Sequence, residues 1–305
     1  MLAIAGVLIA LLVIPLGLDL YMPVPEDNPI SAEKIELGRR LFNDRRLSRD
    51  GTVACSSCHN PDHAFAAPDA ISLGVSARRG RRNTPVLINR GWGRAFSWDG
   101  RAATLEEQVL KPIEDPNEMD LSIAEASARL DVTPGELSRA MATYIRSLMS
   151  GNAPYDRYVN GDRAALSGEA QAGLKLFRGK GNCAACHVGP TFTDEKFHNT
   201  GIAWARPPRE PAAAESFRDE GRATVTGRAD DRGAFKTPTL REVEHSAPYM
   251  HDGSLASLDE VVDYYDRGGN KHALLDQELR PIGFTAAEKH ALIAFLRSLS
   301  GTMTK

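Results

Sequence analysis

Cys55-Ser56-Ser57-Cys58-His59 and Cys183-Ala184-Ala185-Cys186-His187 decide how this chain is read. The two Cys-x-x-Cys-His pentads use all 4 cysteines of the 305 residues. The pentad is the attachment signature of c-type haem: both thiols form thioethers, and the adjacent imidazole becomes an iron ligand. A zinc ribbon also pairs two Cys-x-x-Cys units, and a redox dithiol needs one, but neither requires His directly after the second Cys. The sequence therefore predicts two covalent haem c groups on Cys55, Cys58, Cys183 and Cys186. His59 and His187 are the expected proximal ligands, and no cysteine is left for a disulfide.

Working outward, the pentads sit in a unit written twice. Ser31-Ala32-Glu33 leads through Gly38-Arg39-Arg40-Leu41-Phe42 to the first, and Ser167-Gly168-Glu169 through Gly173-Leu174-Lys175-Leu176-Phe177 to the second. Each opens like a capped helix, with Ser at the cap and an acid in the first turn. Downstream, Thr133-Pro134-Gly135-Glu136 and Thr285-Ala286-Ala287-Glu288 read as capping boxes. The amphipathic helices they start run into Ile145-Arg146-Ser147-Leu148 and Leu296-Arg297-Ser298-Leu299, with Gly151 and Gly301 as expected stops. Helix, pentad, long loop and closing helix is the order of a cytochrome c domain. The expected fold is mainly α, with two cytochrome c-like domains, one covalent haem and long loops in each. Their boundary falls near residues 160–165.

Those loops are too long for a simple electron carrier. About 75 residues separate His59 from Thr133 and nearly 100 separate His187 from Thr285, whereas loops beyond about 15 residues usually carry function. A hydrophobic content of 42% is enough for two compact domains, and the net charge of -3 gives no sign of nucleic-acid binding. Residues Leu2 to Leu18 form an uncharged apolar run ended by Asp19. At about 1.5 Å per residue it spans roughly 26 Å, marginal for a bilayer. Residues 1–20 are read as a membrane anchor or signal segment, with a buried core helix as the alternative, and 21–30, with three prolines, as a linker. Anchor and signal segment both place the rest of the chain in the periplasm, where bacterial c-type haem is attached.

Between these landmarks lie Arg82-Asn83-Thr84-Pro85, Trp98-Asp99-Gly100-Arg101-Ala102, Asn117-Glu118-Met119, Phe197-His198-Asn199-Thr200-Gly201, Lys236-Thr237-Pro238-Thr239-Leu240-Arg241 and Pro248-Tyr249-Met250-His251-Asp252-Gly253. With the pentads, this set resembles the bacterial di-haem cytochrome c peroxidase family, including its MauG-like branch, over roughly residues 31–301. The resemblance implies an N-terminal peroxidatic haem domain, 31–163, and a C-terminal electron-transfer haem domain, 164–305. It implies that Glu118 exchanges protons with bound peroxide, helped by Gln108, because peroxide cleavage needs a base and polar groups around the leaving oxygen. It places Trp98 between the haems and one calcium ion on Asn83, Ser246 and Pro248, oxygen donors suited to that cation. The run Arg78, Arg79, Arg81 and Arg82 reads as a solvated loop or as a source of an arginine for a haem propionate.

Two positions depart from the classical pattern. Where a blocking distal His is common there is Val75, and His63, four residues past His59, is poorly placed for the opposite haem face. The first haem is expected to be open. Fourteen residues beyond His251, where classical members carry a Met ligand, stands Tyr265. A phenolate favours ferric iron, whereas a thioether raises the potential; Met250 is the competing ligand. The expected activity is reduction of hydrogen peroxide to water with electrons from a small donor such as a cytochrome c or a cupredoxin. The alternative is a MauG-like oxidase that modifies Trp or Tyr of a partner protein. A homodimer is left open.

Overall fold

The computed structural model describes residues 12–205 and 216–304. Eleven α-helices appear among them: α1 (Ala32–Phe42), α2 (Cys55–Cys58), α3 (Leu105–Gln108), α4 (Lys111–Glu114), α5 (Ile123–Leu130), α6 (Pro134–Ser147), α7 (Pro154–Val159), α8 (Gly168–Arg178), α9 (Ala223–Thr226), α10 (Leu258–Asp266) and α11 (Ala286–Arg297). The β-structure is three antiparallel two-residue pairs: β1 (Ser150–Gly151) with β6 (Thr302–Met303), β2 (Phe197–His198) with β5 (Phe235–Lys236), and β3 (Trp204–Ala205) with β4 (Ser216–Phe217). The protein is mainly α, with long irregular segments.

The repeated sequence units become repeated packing units. Ser31 and Ser167 cap α1 and α8 by accepting the Lys34 and Ala170 amides. Thr133 and Thr285 form reciprocal capping boxes with Glu136 and Glu288 at the starts of α6 and α11. In each unit the first and last helices cross at a glycine, because only a residue without a side chain lets the backbones approach. A Cβ on Gly38 would lie 2.6 Å from Tyr144 Cβ and would strike the Ala140 carbonyl. One on Gly173 would lie 2.8 Å from Phe295 Cβ and would strike the Ala291 carbonyl. Helices α6 and α11 stop at Ser147 and Arg297 rather than at the expected glycines. Gly151 instead pairs with Thr302, and Gly301 passes too close to Gly151 to carry a side chain.

Two apolar cores follow, one drawn from Leu41 to Leu148 and one from Leu166 to Leu299. Phe42 and Phe295 are almost fully enclosed, each burial contributing about 1.5–3 kcal/mol. Phe42 packs 5.2 Å from Tyr144 and 6.3 Å from the His59 ring, so the α1–α6 crossing also fixes the first pentad.

The N-terminal reading needs correction within residues 12–30. Leu18 and Met22 are buried against Met149. The Leu16, Gly17 and Tyr21 carbonyls accept hydrogen bonds from the Asn152 amide (2.7 Å), Arg241 (2.9 Å) and Trp92 (3.0 Å). Residues 12–20 therefore lie along the folded body and are not part of a spanning helix. The expected linker is also packed: Asn28 is fully buried and donates to Glu106 at 2.6 Å. Residues 1–11 of the proposed anchor lie outside the described residues, and among the described ones no helix is long and apolar enough to cross a membrane.

Candidate active site: two clefts that share a wall

Each pentad opens into a large cleft. The first, with about 1790 Å³ of empty space including its open mouth, is lined by Cys55, Cys58, His59, Trp98, Gln108 and Glu118. The second, about 1720 Å³, is lined by Cys183, Cys186, His187, Met250, His251 and Tyr265. The two Cys pairs are in different clefts, so a four-cysteine zinc site is excluded. Burial pushes the Cys55 and Cys183 thiols up to about 12, so both are protonated thiols at neutral pH.

The imidazoles are prepared as iron ligands. His59 Nδ1 lies 2.8 Å from the Phe65 carbonyl and His187 Nδ1 2.9 Å from the Phe192 carbonyl. A carbonyl only accepts, so Nδ1 must carry the proton and Nε2 keeps its lone pair. Burial pushes His59 down to about 4 and His187 in the same direction, so both rings are neutral. A pair of clefts, each with two thiols and one neutral, oriented imidazole, fits a covalent haem in each.

Glu118 follows the short helix α4, its amide donating to the Asp115 carbonyl at 3.0 Å. Much of its side-chain surface is accessible, but that surface opens into the cleft, and protein encloses the carboxyl elsewhere. Desolvation, and secondarily the Asp115 carboxylate, push it up to about 7 against the opposing charge of Arg101. Gln108 is oriented by Ser97, whose hydroxyl donates to Oε1 at 2.7 Å and leaves the amide hydrogens free. Ser97 achieves this from a left-handed backbone, φ +66°, a conformation non-glycine residues adopt only when their surroundings enforce it.

Val75 is buried, with its amide donating to the Glu118 carbonyl, and it is not among the cleft residues. His59 is the only histidine lining the first cleft among the described residues. In the second cleft, Tyr265 and Met250 both reach the wall. The Tyr265 hydroxyl makes no hydrogen bond to a described residue, and burial pushes its pKa up. Tyr265 is half-buried and lines the cleft, so its unpaired hydroxyl is open to a ligand there.

Trp98 lines both clefts, as do Asn83 and Lys236. Its indole N–H donates to the Asn83 carbonyl at 2.8 Å, and the Asn83 amide donates to the His251 carbonyl at 2.7 Å. The Asn83 side-chain nitrogen donates to the Asp69 and Ala70 carbonyls at 3.3 and 3.2 Å. Its oxygen therefore points the other way, and that oxygen and the Ser246 and Pro248 carbonyls accept no hydrogen bond from described residues. Such unfilled oxygens suit a hard cation.

The arginine run divides. Arg82 is not solvated: it pairs with Asp99 at 2.6 Å and Asp219 at 2.7 Å. Arg78 pairs with Asp120. Arg81 faces the first cleft without a partner among the described residues and is the one suited to a haem propionate. One other cluster has metal-ligand chemistry, Cys186, Asp194 and His198. Both His198 nitrogens are already held by carboxylates, Asp276 at 2.5 Å and Asp194 at 2.9 Å, which leaves no ring lone pair for a cation. Sequence reasoning missed Ser97, Glu195 and the role of Lys236. None has a local signature, because each acts through a partner distant in the chain.

Comparison with known proteins agrees with this geometry. The di-haem cytochrome c peroxidase family profile matches residues 32–164. The chain is 38% identical to the methylamine utilization protein MauG of Methylorubrum extorquens, over 91% of this chain and 81% of that one. It is 36% identical to the cytochrome-c peroxidase IdrP1 of a Pseudomonas species, over 92% and 84%. A MauG-like protein associated with microbial copper homeostasis superposes with a TM-score of 0.83 at 34% identity, covering 93% of this chain and 95% of its own. Its two clefts, its paired pentads and these relatives place the chain in the di-haem cytochrome c peroxidase family.

Proposed function

We propose that this oxidoreductase reduces hydrogen peroxide to water in the first cleft, with electrons entering through the second. The observation that carries the reading is Glu118, a carboxyl held near neutrality in a cleft whose His59 has no competing histidine. Reduction of peroxide to two waters takes two electrons and two protons. A bound haem supplies the redox chemistry. Glu118 takes the proton from the attacking peroxide oxygen and returns it to the leaving one. Gln108, aligned by Ser97, donates from its amide to the peroxide or the departing water.

Trp98 forms the wall between the haems and relays electrons across it. Its hydrogen bond to a backbone carbonyl, which is not a base, lets the indole keep its proton while it does so. His187 and Tyr265 hold the second haem, and a single calcium on Asn83, Ser246 and Pro248 fastens the segment between the clefts. The donor is a small periplasmic protein such as a cytochrome c or a cupredoxin, because c-type haem is attached in that compartment.

One observation favours a second reading. The unpaired Tyr265 phenol offers a hard anionic ligand that stabilises oxidised iron, which suits oxidation of Trp or Tyr on a partner protein, as in the MauG-like branch. Steady-state peroxide turnover by fully oxidised enzyme with reduced cytochrome c tests the primary reading. Immediate turnover supports it. Activity that appears only after one-electron reduction would mean a blocked first iron. No turnover with any small donor would leave the second reading.

A further inference from the structure

We propose that Lys236, clamped by Glu195 and Arg90 at the junction of the two clefts, binds a haem propionate and raises the reduction potential of that haem. The proposal rests on the two-haem reading above. Lys236 lies on β5, and its amide donates to the Trp98 carbonyl at 2.8 Å, which fixes it beside the tryptophan in the wall that the two clefts share. Its ammonium donates to the Thr237 carbonyl at 2.9 Å and lies 3.3 Å from Glu195 Oε1. Glu195 is not free to neutralise it. Arg90 reaches the same carboxylate with two nitrogens, at 2.7 and 3.2 Å, and the Arg94 amide adds a third donor at 3.0 Å.

The cluster therefore holds two cations and one anion, with the Lys236, Arg90 and Glu195 side chains only 9%, 10% and 9% exposed. The next carboxylate that acts on Lys236, Asp194, makes no ion pair with it and is bonded instead to His198 at 2.9 Å. Burial and the Arg90 charge push Lys236 down to about 8, so it still carries its proton at neutral pH. A buried uncompensated charge is unfavourable, and a protein normally supplies it with a partner. The anions a haem brings into these clefts are its propionates. A lysine takes a carboxylate as a point charge, without the fixed geometry an arginine fork imposes. A Lys236–propionate pair at this junction would favour the reduced iron, because the cation opposes the extra positive charge of the ferric state. It would also tie the cofactor to both domains, since Arg90 belongs to the first core region and Glu195 to the second.

The propionate could come from the first or the second haem, and a potentiometric titration of the full, haem-loaded chain separates them. The Lys236→Met variant should lower one midpoint potential, and the spectrum that shifts identifies the haem. That potential should also become pH-dependent, because the unpaired propionate takes up a proton as the iron is reduced. Lys236→Arg keeps the charge and should leave the potential near the parent value. Glu195→Gln increases the surplus positive charge and should raise it. Opposite shifts in Lys236→Met and Glu195→Gln support the proposal, since loosened packing would not reverse sign. Unchanged potentials, or shifts of the same sign in both, overturn it. If Lys236→Met fails to fold, the remaining pair decides: a raised potential in Glu195→Gln with an unchanged one in Lys236→Arg supports the proposal, and any other result overturns it. Mass analysis of the parent separates this from failure of the two-haem reading, which would show as missing haem.

Discussion

Replacing Glu118 by Gln removes one proton site and almost nothing else. The carboxyl makes no hydrogen bond to a described residue, so Gln fits the same space without breaking a contact, and thermal stability should be unchanged. A positioned general acid–base group is worth about 10²–10⁴ in rate, so peroxide turnover should fall by that factor. The parent should also show the pH signature of this carboxyl. Glu118 is shifted upward, from 4.5 to about 7, so its base form is depleted below neutrality. The rate should rise about tenfold from pH 6 to pH 8 and then level off, following the ionised fraction of a group with that pKa. Glu118→Gln should lose the inflection along with the rate. The assay is rapid mixing of oxidised enzyme with peroxide, followed at the haem absorption across that pH range. Turnover within about threefold of the parent, or an inflection near pH 7 that survives in the variant, would refute the proton-transfer role.

Three other outcomes follow from the structure. Gly38→Ala and Gly173→Ala each force a methyl into a helix crossing, and thermal denaturation should show a loss of about 1–3 kcal/mol for each. Ser97→Ala removes the hydrogen bond that orients Gln108; kcat should fall several-fold with KM for the electron donor unchanged, whereas a merely structural role would lower stability without that split. Tyr265→Phe should convert the second haem from low-spin to an open or water-bound form in electron paramagnetic resonance, and Tyr265→Met should raise its potential. Spectra identical to the parent in both variants would assign the ligand to Met250.

The parts legible in the sequence were those written locally. Each pentad, each N-cap and each capping box lies within five residues of its partner, and the repeat showed as two Gly-x-x-Leu-Phe units, although the helix crossings at their glycines did not. Glu118, Gln108 and Trp98 came from resemblance, because a lone acid or amide in a loop carries no signature of the cleft it will face. The N-terminal run admits two readings for a physical reason. Apolar residues such as Leu18 and Met22 satisfy a membrane-segment pattern and a packing role equally well, and only the distant partners Met149 and Arg241 decide between them. The long-range charge pairs were equally hidden. Arg82 meets Asp219 and Arg90 meets Glu195 across more than 100 residues of chain. Neither periodicity nor spacing records such a pairing.

The central claim is that each cleft holds one covalent haem on its own pentad, and peptide-level mass spectrometry of protein matured in a periplasm tests it most directly. The account predicts two haem additions, one on the peptide carrying Cys55 and Cys58 and one on the peptide carrying Cys183 and Cys186. A single addition, a haem-free cysteine pair, or a metal ion held by these thiols would contradict it.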